Sequence, residues 1–449
     1  MSELTIAGWG NYPRVRCEVD HPESVGQLAD AVGGNGASVI ARGLGRSYGD
    51  PALNDRGRVL DVTGLDRLLA FDEQSGLLTC EAGVSLAQII DRFTPRGFFP
   101  AITPGTKHVT VGGCIANDVH GKAHHVDGCF SRCVEHLDLL TADGAIRRVS
   151  RTEDAPLFWA TVAGLGLTGV IVRAQIRLRR IETAYFRQTA VVVRDLDEMM
   201  DALERYDAML PYSVAWIDPL ATGKRLGRGV LTVGDHARRD ELPRRLAHDP
   251  LAVRGPAAVT VPFELPNASL NPVTLRAVNR VLFEVLARGA EIAHYEKFFY
   301  PLDVIGEWNR GYGARGFTQY QFVIPFHDGR RRMRELLERI ATSGQLPFLN
   351  VLKRFGPEGE APLSFPMAGY TFAIDFPITR GLPALLRELD AMVEDAGGRI
   401  YLGKDAFLEP GSLAAMYPRL SAWREVKTRV DPETRFASHL SRRVGLTEP

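Results

Sequence analysis

Hydrophobic and polar positions follow two regimes along the chain, and the change comes near Arg187. Before it, short apolar runs are separated by turn formers and brief amphipathic stretches. Val59-Leu60-Asp61-Val62 and Leu77-Leu78-Thr79-Cys80 read as strands, the second preceded by the turn-forming run Asp72 to Gly76. Ser85 is placed to cap an amphipathic helix, LAQIIDRF, that stops near Pro95. His136 to Val149 reads as a hairpin turning at Asp143-Gly144. A helix, EDAPLFWATVAG, and a strand, VIVRAQIRL, follow. Beyond Arg187 the runs lengthen. QTAVVVRDL, YSVAWIDPL, FTQYQFVIPF, FLNVLKRF and YTFAIDFPI read as strands, with helices expected over 195–208, 272–288, 328–343 and 382–397. This predicts an α+β protein whose second domain is an antiparallel sheet with helices on one face. From Arg399 a strand RIYLGKDAF, a Tyr- and Trp-bearing helix and FASHLSRRVGL are expected to return to the first domain.

Composition narrows the function classes. The 449 residues carry 54 Lys+Arg against 54 Asp+Glu, so no charge excess points to nucleic acid. Cys17, Cys80, Cys114, Cys129 and Cys133 are an odd number without CxxC spacing, which fits free thiols in a reducing compartment. The N-terminus lacks the pattern of a signal peptide, and no apolar run reaches the length of a membrane span. The expected location is cytoplasmic, with membrane association or a periplasmic site left open.

The candidate chemistry sits in glycine-rich loops. Ala41-Arg42-Gly43-Leu44-Gly45-Arg46-Ser47-Tyr48-Gly49-Asp50-Pro51 follows an apolar β-branched run. Without a Cβ, glycines let backbone N–H groups approach an anion closely. The block from Thr103 to His125 supplies a second such stretch, and together they read as two cradles for one diphosphate. Gly164 to Gly169 spells G-x-G-x-x-G, but a helix precedes it and a strand follows. That order is the reverse of a dinucleotide fingerprint, so a tight turn or close backbone passage is expected there. His120, Lys122, His124 and His125 form a polar cluster. Gly121 argues against a helix and no carboxylate or cysteine stands at ligand spacing, so no metal is expected. The cluster reads as a cationic wall beside an electron-rich ring, or as hydrogen-bonded loop positions. Lys353 and Lys404 lie on expected strands, to snorkel or to enter a cavity. Gln319 and Gln321 share a strand face that lines a polyol site or meets water. Tyr300, Trp308 and Tyr312 read as core or pocket.

Taken together, RGLGRSYGD, PGTKHVTVGGCIANDVHGKAHH, LDLLTADG, LFWATVAGLGLTG, GEWNRGYG, QYQFVIP and VDPETRFAS resemble the decaprenylphosphoryl-β-D-ribose 2-oxidase family. That family lies within the vanillyl-alcohol oxidase (PCMH-type FAD domain) superfamily. The resemblance runs in order over nearly the whole chain. It implies a PCMH-type FAD domain over 1–183, a substrate domain over 184–398 and a returning segment over 399–449. By the same resemblance, FAD contacts would come from the 41–51 loop, Gly105, Thr110, Val111, Gly112, Gly113, Asn117, Asp118, Val119, His120, Ile171 and Tyr401. Many superfamily members tether the flavin through a histidine in the first glycine loop. Arg46-Ser47 stand there instead, so FAD is expected to be non-covalent. The pocket would comprise His120, Lys122, Tyr312, Gln319, Gln321, Lys353, Thr371 and Lys404. Where mycobacterial members carry a serine, an asparagine and a cysteine, this chain has Val214, Thr371 and Ala373.

The implied reaction is FAD-dependent oxidation of the 2-hydroxyl of decaprenylphosphoryl-β-D-ribose. An NAD(P)H-dependent short-chain reductase would complete an epimerisation that supplies arabinan for the cell wall. Lys404 is the first candidate for a catalytic charge, and Tyr48, His120 or a neutral lysine for the base. An alditol, aldonolactone or secondary-metabolite sugar oxidase is the nearest alternative, and a non-catalytic binding protein the more distant one.

Overall fold

The computed structural model describes residues 2–447, apart from 35, 254, 256–258 and 268. Strands Ser2–Ala7, Arg14–Asp20, Arg58–Asp61 and Val39–Arg42 form a four-stranded sheet in that spatial order. A second sheet runs Leu68–Asp72, Leu77–Glu81, Val170–Arg180, Val134–Leu140 and Ile146–Ser150, with Phe98–Pro100 also paired to Val170–Arg180. Val39 and Leu60 of the first sheet and Leu140, Val170 and Val172 of the second share one buried cluster with Leu28 and Val32 of helix Val25–Gly33.

Local signals behave as the pattern predicts. The Ser85 hydroxyl accepts from Gln88 N–H at 3.1 Å and Gln88 Oε1 accepts from Ser85 N–H at 2.7 Å, a reciprocal cap on helix Leu86–Phe93. The hairpin turns with Gly144 at φ +79. Gly164 to Gly169 joins helix Ala155–Thr161 to strand Val170–Arg180 and opens no helix. Within this stretch Ala163 and Leu165 N–H donate to the carbonyls of Ile115 and Ala116, bracing helix Val111–Ala116.

The large sheet has eight strands, all antiparallel, in the order 291–294, 185–193, 229–236, 212–217, 350–355, 369–377, 317–325 and 399–400. Strands 229–236 and 291–294 were not foreseen. Helices Leu196–Asp207, Gly329–Thr342 and Leu382–Asp395 cover one face, their apolar sides meeting Ile217, Leu231, Phe322, Leu352 and Phe372. One expectation needs correction. Helix Pro272–Leu286 lies on the other side, with its Phe283 ring 6.4 Å from Trp216, a residue sharing its strand face with Val214.

The expected strand RIYLGKDAF shrinks to Arg399–Ile400, and Lys404 belongs to the turn beyond, its N–H donating to Tyr401 C=O. The chain turns at this point, Lys404 and Asp405 N–H both donating back to Tyr401 C=O, and the turn ends the ladder. The later helices pack on the first sheets. Trp423 Nε1 donates to Ala160 C=O, and Val39 and Phe436 form a parallel bridge. All five cysteines are buried free thiols.

Candidate active site

Three chain segments meet where glycines remove the side chains that would hold them apart. A Cβ on Gly43 would stand 2.4 Å from Thr110 Oγ1. One on Gly49 would lie 1.8 Å from the Asp405 carbonyl oxygen, and one on Gly403 2.4 Å from Asn117 Oδ1. The first glycine loop, the second glycine stretch and the turn bearing Lys404 are thereby joined. Arg443 reinforces the join: its guanidinium contacts Asp50 at 2.7 and 3.0 Å and Asp405 at 2.9 Å, both carboxylates buried.

The first loop is built to receive an anion. Its outer carbonyls are engaged, Ser47 and Tyr48 accepting from Trp9 and Gly10 N–H. Arg42 turns inward to the Ala7 and Ala52 carbonyls, and Arg46 stacks 3.7 Å over the Trp9 ring. The N–H groups from Leu44 to Gly49 donate to no protein acceptor among the described residues. In the second stretch Val111 and Gly112 N–H are committed to Val84 and Ala82 C=O, and Gly113 N–H to Thr110 Oγ1. These three therefore offer surface rather than donors, whereas Gly105 and Thr106 N–H of the same stretch donate to no protein acceptor among the described residues. Gly105 faces open space, with nothing within 4 Å of a built Cβ. Asp118 is also spent internally, accepting from Ser364 Oγ and Ser131 N–H, and Ile171 is buried in the core.

The sheet face opposite helices Leu196–Asp207, Gly329–Thr342 and Leu382–Asp395 supplies the polar groups. Alternation sends Gln319 and Gln321, then Lys353, then Thr371, Ala373 and Asp375 to this side. Lys404 Nζ donates to Gln319 Oε1 and lies 5.3 Å over the Tyr48 ring. Gln319 Nε2 donates to Asp375 Oδ1 at 2.6 Å, and Tyr312 OH to Asp375 Oδ2 at 3.0 Å. Burial pulls Lys404 down to about 8, opposed by Asp375, and pushes Asp375 up to about 7. Burial, then repulsion from Lys404 and Lys122, brings Lys353 to about 7. Burial raises Tyr48 well above the usual phenol range, and the Asp375 charge adds to it.

His120 is buried among Phe355, Phe365 and Tyr401, with ring centroids at 4.7, 5.7 and 5.3 Å. Burial, then Lys353 and Lys404, holds it neutral. Tyr401 OH donates to Asn117 C=O. His124 Nδ1 accepts from Gly356 N–H at 3.1 Å, His125 reaches Leu210 C=O, and Lys122 Nζ donates to Phe298 C=O. Lys122 thus donates toward helix Tyr295–Phe299 while staying close enough to Lys353 to repel it. Asp375 and Arg443 escaped sequence reasoning. Asp375 had a usable signal, two residues past Ala373 on one strand face, whereas nothing local marks Arg443.

A flavin nucleotide fits these residues. The open loop amides suit a diphosphate. Asn117 Oδ1, His120 Nδ1 and Gln321 Oε1 are buried without a protein partner, as groups awaiting a polar ligand would be.

Comparison with known proteins agrees. The FAD binding domain family matches residues 13–150, and the D-arabinono-1,4-lactone oxidase family matches residues 314–444. The decaprenylphosphoryl-beta-D-ribose oxidase of Mycolicibacterium smegmatis is 40% identical over 98% of this chain and 97% of its own. An L-gulono-1,4-lactone dehydrogenase of Mycobacterium tuberculosis is 23% identical over 97% of this chain and 98% of its own. An open amide loop facing a lysine-bearing sheet, in a chain related end to end to such proteins, is flavoenzyme architecture. The protein belongs to the FAD-dependent sugar and lactone oxidase family and is an FAD-dependent oxidoreductase.

Proposed function

We propose that the enzyme oxidises the 2-hydroxyl of decaprenylphosphoryl-β-D-ribose to the 2-keto sugar, with FAD bound non-covalently. The observation that carries this reading is the run Tyr312, Asp375, Gln319, Lys404 beside Lys353, on the sheet face opposite the open amide loop. It combines a polyol-binding array with cations suited to a phosphate. The absence of histidine from residues 41–51 supports a dissociable flavin.

FAD, when bound, takes up the hydride from the carbinol carbon. The N–H groups of Leu44 to Gly49 would hold its diphosphate, and Asn117, His120 and Tyr401 would border its ring system. Lys404, the lysine that keeps more of its charge, stabilises negative charge that develops in the pocket. The hydroxyl proton needs an acceptor. Tyr48 stays a phenol, so Lys353, brought to about 7, is the base we assign; burial brings Lys122 as low, but its Nζ is committed to Phe298 C=O. Gln319, fixed by Asp375, holds Lys404 in place.

The product is a ketone, and a separate NAD(P)H-dependent short-chain reductase would reduce it to the arabinose epimer. The substrate's prenyl tail would remain in a bilayer. Val278, Val281 and Val285 are exposed together along one side of helix Pro272–Leu286, an apolar strip suited to a lipid surface. Among the described residues no helix is long and apolar enough to cross a membrane.

The match to the lactone oxidase family over 314–444 favours a second reading, oxidation of an aldonolactone or alditol. Flavin bleaching with phosphoprenyl ribose, free polyols and sugar lactones separates the two. Bleaching by lactone or polyol alone would overturn the first. Acid precipitation should release FAD into the supernatant, and flavin retained in the pellet would contradict the non-covalent assignment.

A further inference from the structure

Thr371 is fully buried on the strand face that also carries Ala373 and Asp375, and its hydrogen bonds form a directed chain. Its hydroxyl lies 2.8 Å from the Phe322 carbonyl. A carbonyl only accepts, so the single hydroxyl proton of Thr371 is used there. The same oxygen must then accept from Gln321, 3.2 Å away, and only the amide nitrogen can donate. That fixes which way the Gln321 amide faces. Its nitrogen also meets His120 Nε2 at 3.1 Å, and an NH₂ group cannot accept. His120 Nε2 is therefore the unprotonated nitrogen of a neutral ring, and the proton sits on Nδ1. The Phe322 backbone thus sets the tautomer of a histidine two side chains away.

Two atoms are left over. His120 Nδ1 and Gln321 Oε1 are both buried and unpaired with protein. One is a donor and the other an acceptor. Because Gln321 sits on the Nε2 side of the ring, the two atoms face separate points: His120 Nδ1–H offers a donor to one ligand atom and Gln321 Oε1 an acceptor to another.

We propose that Thr371 is a positioning residue that, through Gln321, holds His120 as the Nδ1–H tautomer, so that the imidazole presents a donor and Gln321 an acceptor at two separate points of the site. This rests on the assignment of the sheet face bearing Gln321 and Lys353 as the sugar site.

The test uses ¹⁵N-histidine-labelled holoenzyme, with the His120 signals identified by their loss in H120N. In the unsubstituted enzyme His120 should show a protonated Nδ1 and an unprotonated Nε2. Thr371→Val keeps the shape but removes the hydroxyl. It should mix or reverse the tautomer and raise KM or slow flavin reduction by about tenfold, the order expected for one buried hydrogen bond. Thr371→Ser should restore both. An Nε2–H or doubly protonated His120 in the unsubstituted enzyme would overturn the proposal even if Thr371→Val failed to fold. So would an unchanged tautomer in Thr371→Val. A changed tautomer with unchanged KM and reduction rate would remove the pair from ligand recognition. The NMR signal requires no substrate, so failure of the phosphoprenyl ribose assignment would be seen separately, in the bleaching panel.

Discussion

Gly49→Ala is the sharpest probe of how the site is assembled. Gly49 does not adopt a left-handed φ, so an alanine there is opposed by space alone. Its Cβ would lie 1.8 Å from the Asp405 carbonyl oxygen and 2.6 Å from the Asp405 carbonyl carbon. Both partners are backbone and cannot rotate away. Restoring ordinary contact needs the two strands of chain to part by about 1.6 Å, given contact beginning near 3.4 Å. Tyr48 and Lys404 are the immediate neighbours of these two residues, so their 5.3 Å cation–ring contact takes most of that displacement. Overpacking of this kind costs about 1–3 kcal/mol in stability. A misplacement of about 1 Å in a catalytic array costs on the order of 100-fold in rate. The assay measures flavin bound per protein in the purified variant, FAD affinity after reconstitution, and single-turnover flavin reduction. FAD affinity should fall at least about tenfold and reduction about 100-fold. Gly411→Ala, where a Cβ meets nothing within 4 Å, serves as the control and should match the parent. If Gly49→Ala retains flavin and reduces it within about twofold of the parent, the convergence of loop and turn does not support the site as argued.

Other expectations follow from the charges. Lys404→Met should leave FAD bound and slow its reduction by about 100-fold or more, as loss of one preorganised electrostatic group does; unchanged single-turnover reduction would remove Lys404 from the chemistry. The reduction rate should climb as pH rises through about 7, where Lys353 becomes neutral, and fall through about 8, where Lys404 loses its charge; a flat profile across that window would contradict both roles. Arg443→Met removes the one guanidinium shared by the buried Asp50 and Asp405 carboxylates, leaving Asp50 with His439 at 3.7 Å and Asp405 with the Phe407 and Leu408 N–H groups; it should cost about 3 kcal/mol in a thermal or denaturant melt, so a loss below about 1 kcal/mol would be inconsistent. Asp390, buried beside Tyr320 and near Asp405, is pushed up to about 7. The folded state therefore binds its proton more tightly than the unfolded state does, and stability declines as pH rises from about 4 to 7. Asp390→Asn should remove that decline and stabilise the protein at pH 8 by up to about 4 kcal/mol, and an unchanged pH dependence of stability would refute the assignment.

The legible parts of this chain were those set by local physics. Ser85 with Gln88, the Asp143-Gly144 turn and the alternation through Gln319, Gln321 and Val323 depend on neighbours within a few residues. Lys404 on a strand was a misreading of the same kind of signal: RIYLG alternates correctly, but the turn back to Tyr401 C=O ends the ladder. The placement of helix Pro272–Leu286 opposite the other helices could not be read, because its apolar stripe specifies burial and not which face receives it. Commitment of the Val111 and Gly112 amides to Val84 and Ala82 was equally invisible, since a glycine run looks the same whether its donors are free or taken. Asp375 shows the opposite failure. Its strand face was known from Thr371 and Ala373, yet an isolated acidic residue in an apolar strand drew no attention without Gln319 and Tyr312 beside it.

The clasp formed by Arg443 imposes an order on biogenesis. Asp50 lies 393 positions before the arginine that secures it, and Val39 waits for Phe436 to complete its bridge. A ribosome therefore finishes the 41–51 loop early but leaves it untethered until translation has passed both partners. A chain truncated before Arg443 would be expected to purify without flavin however well its earlier sheets fold.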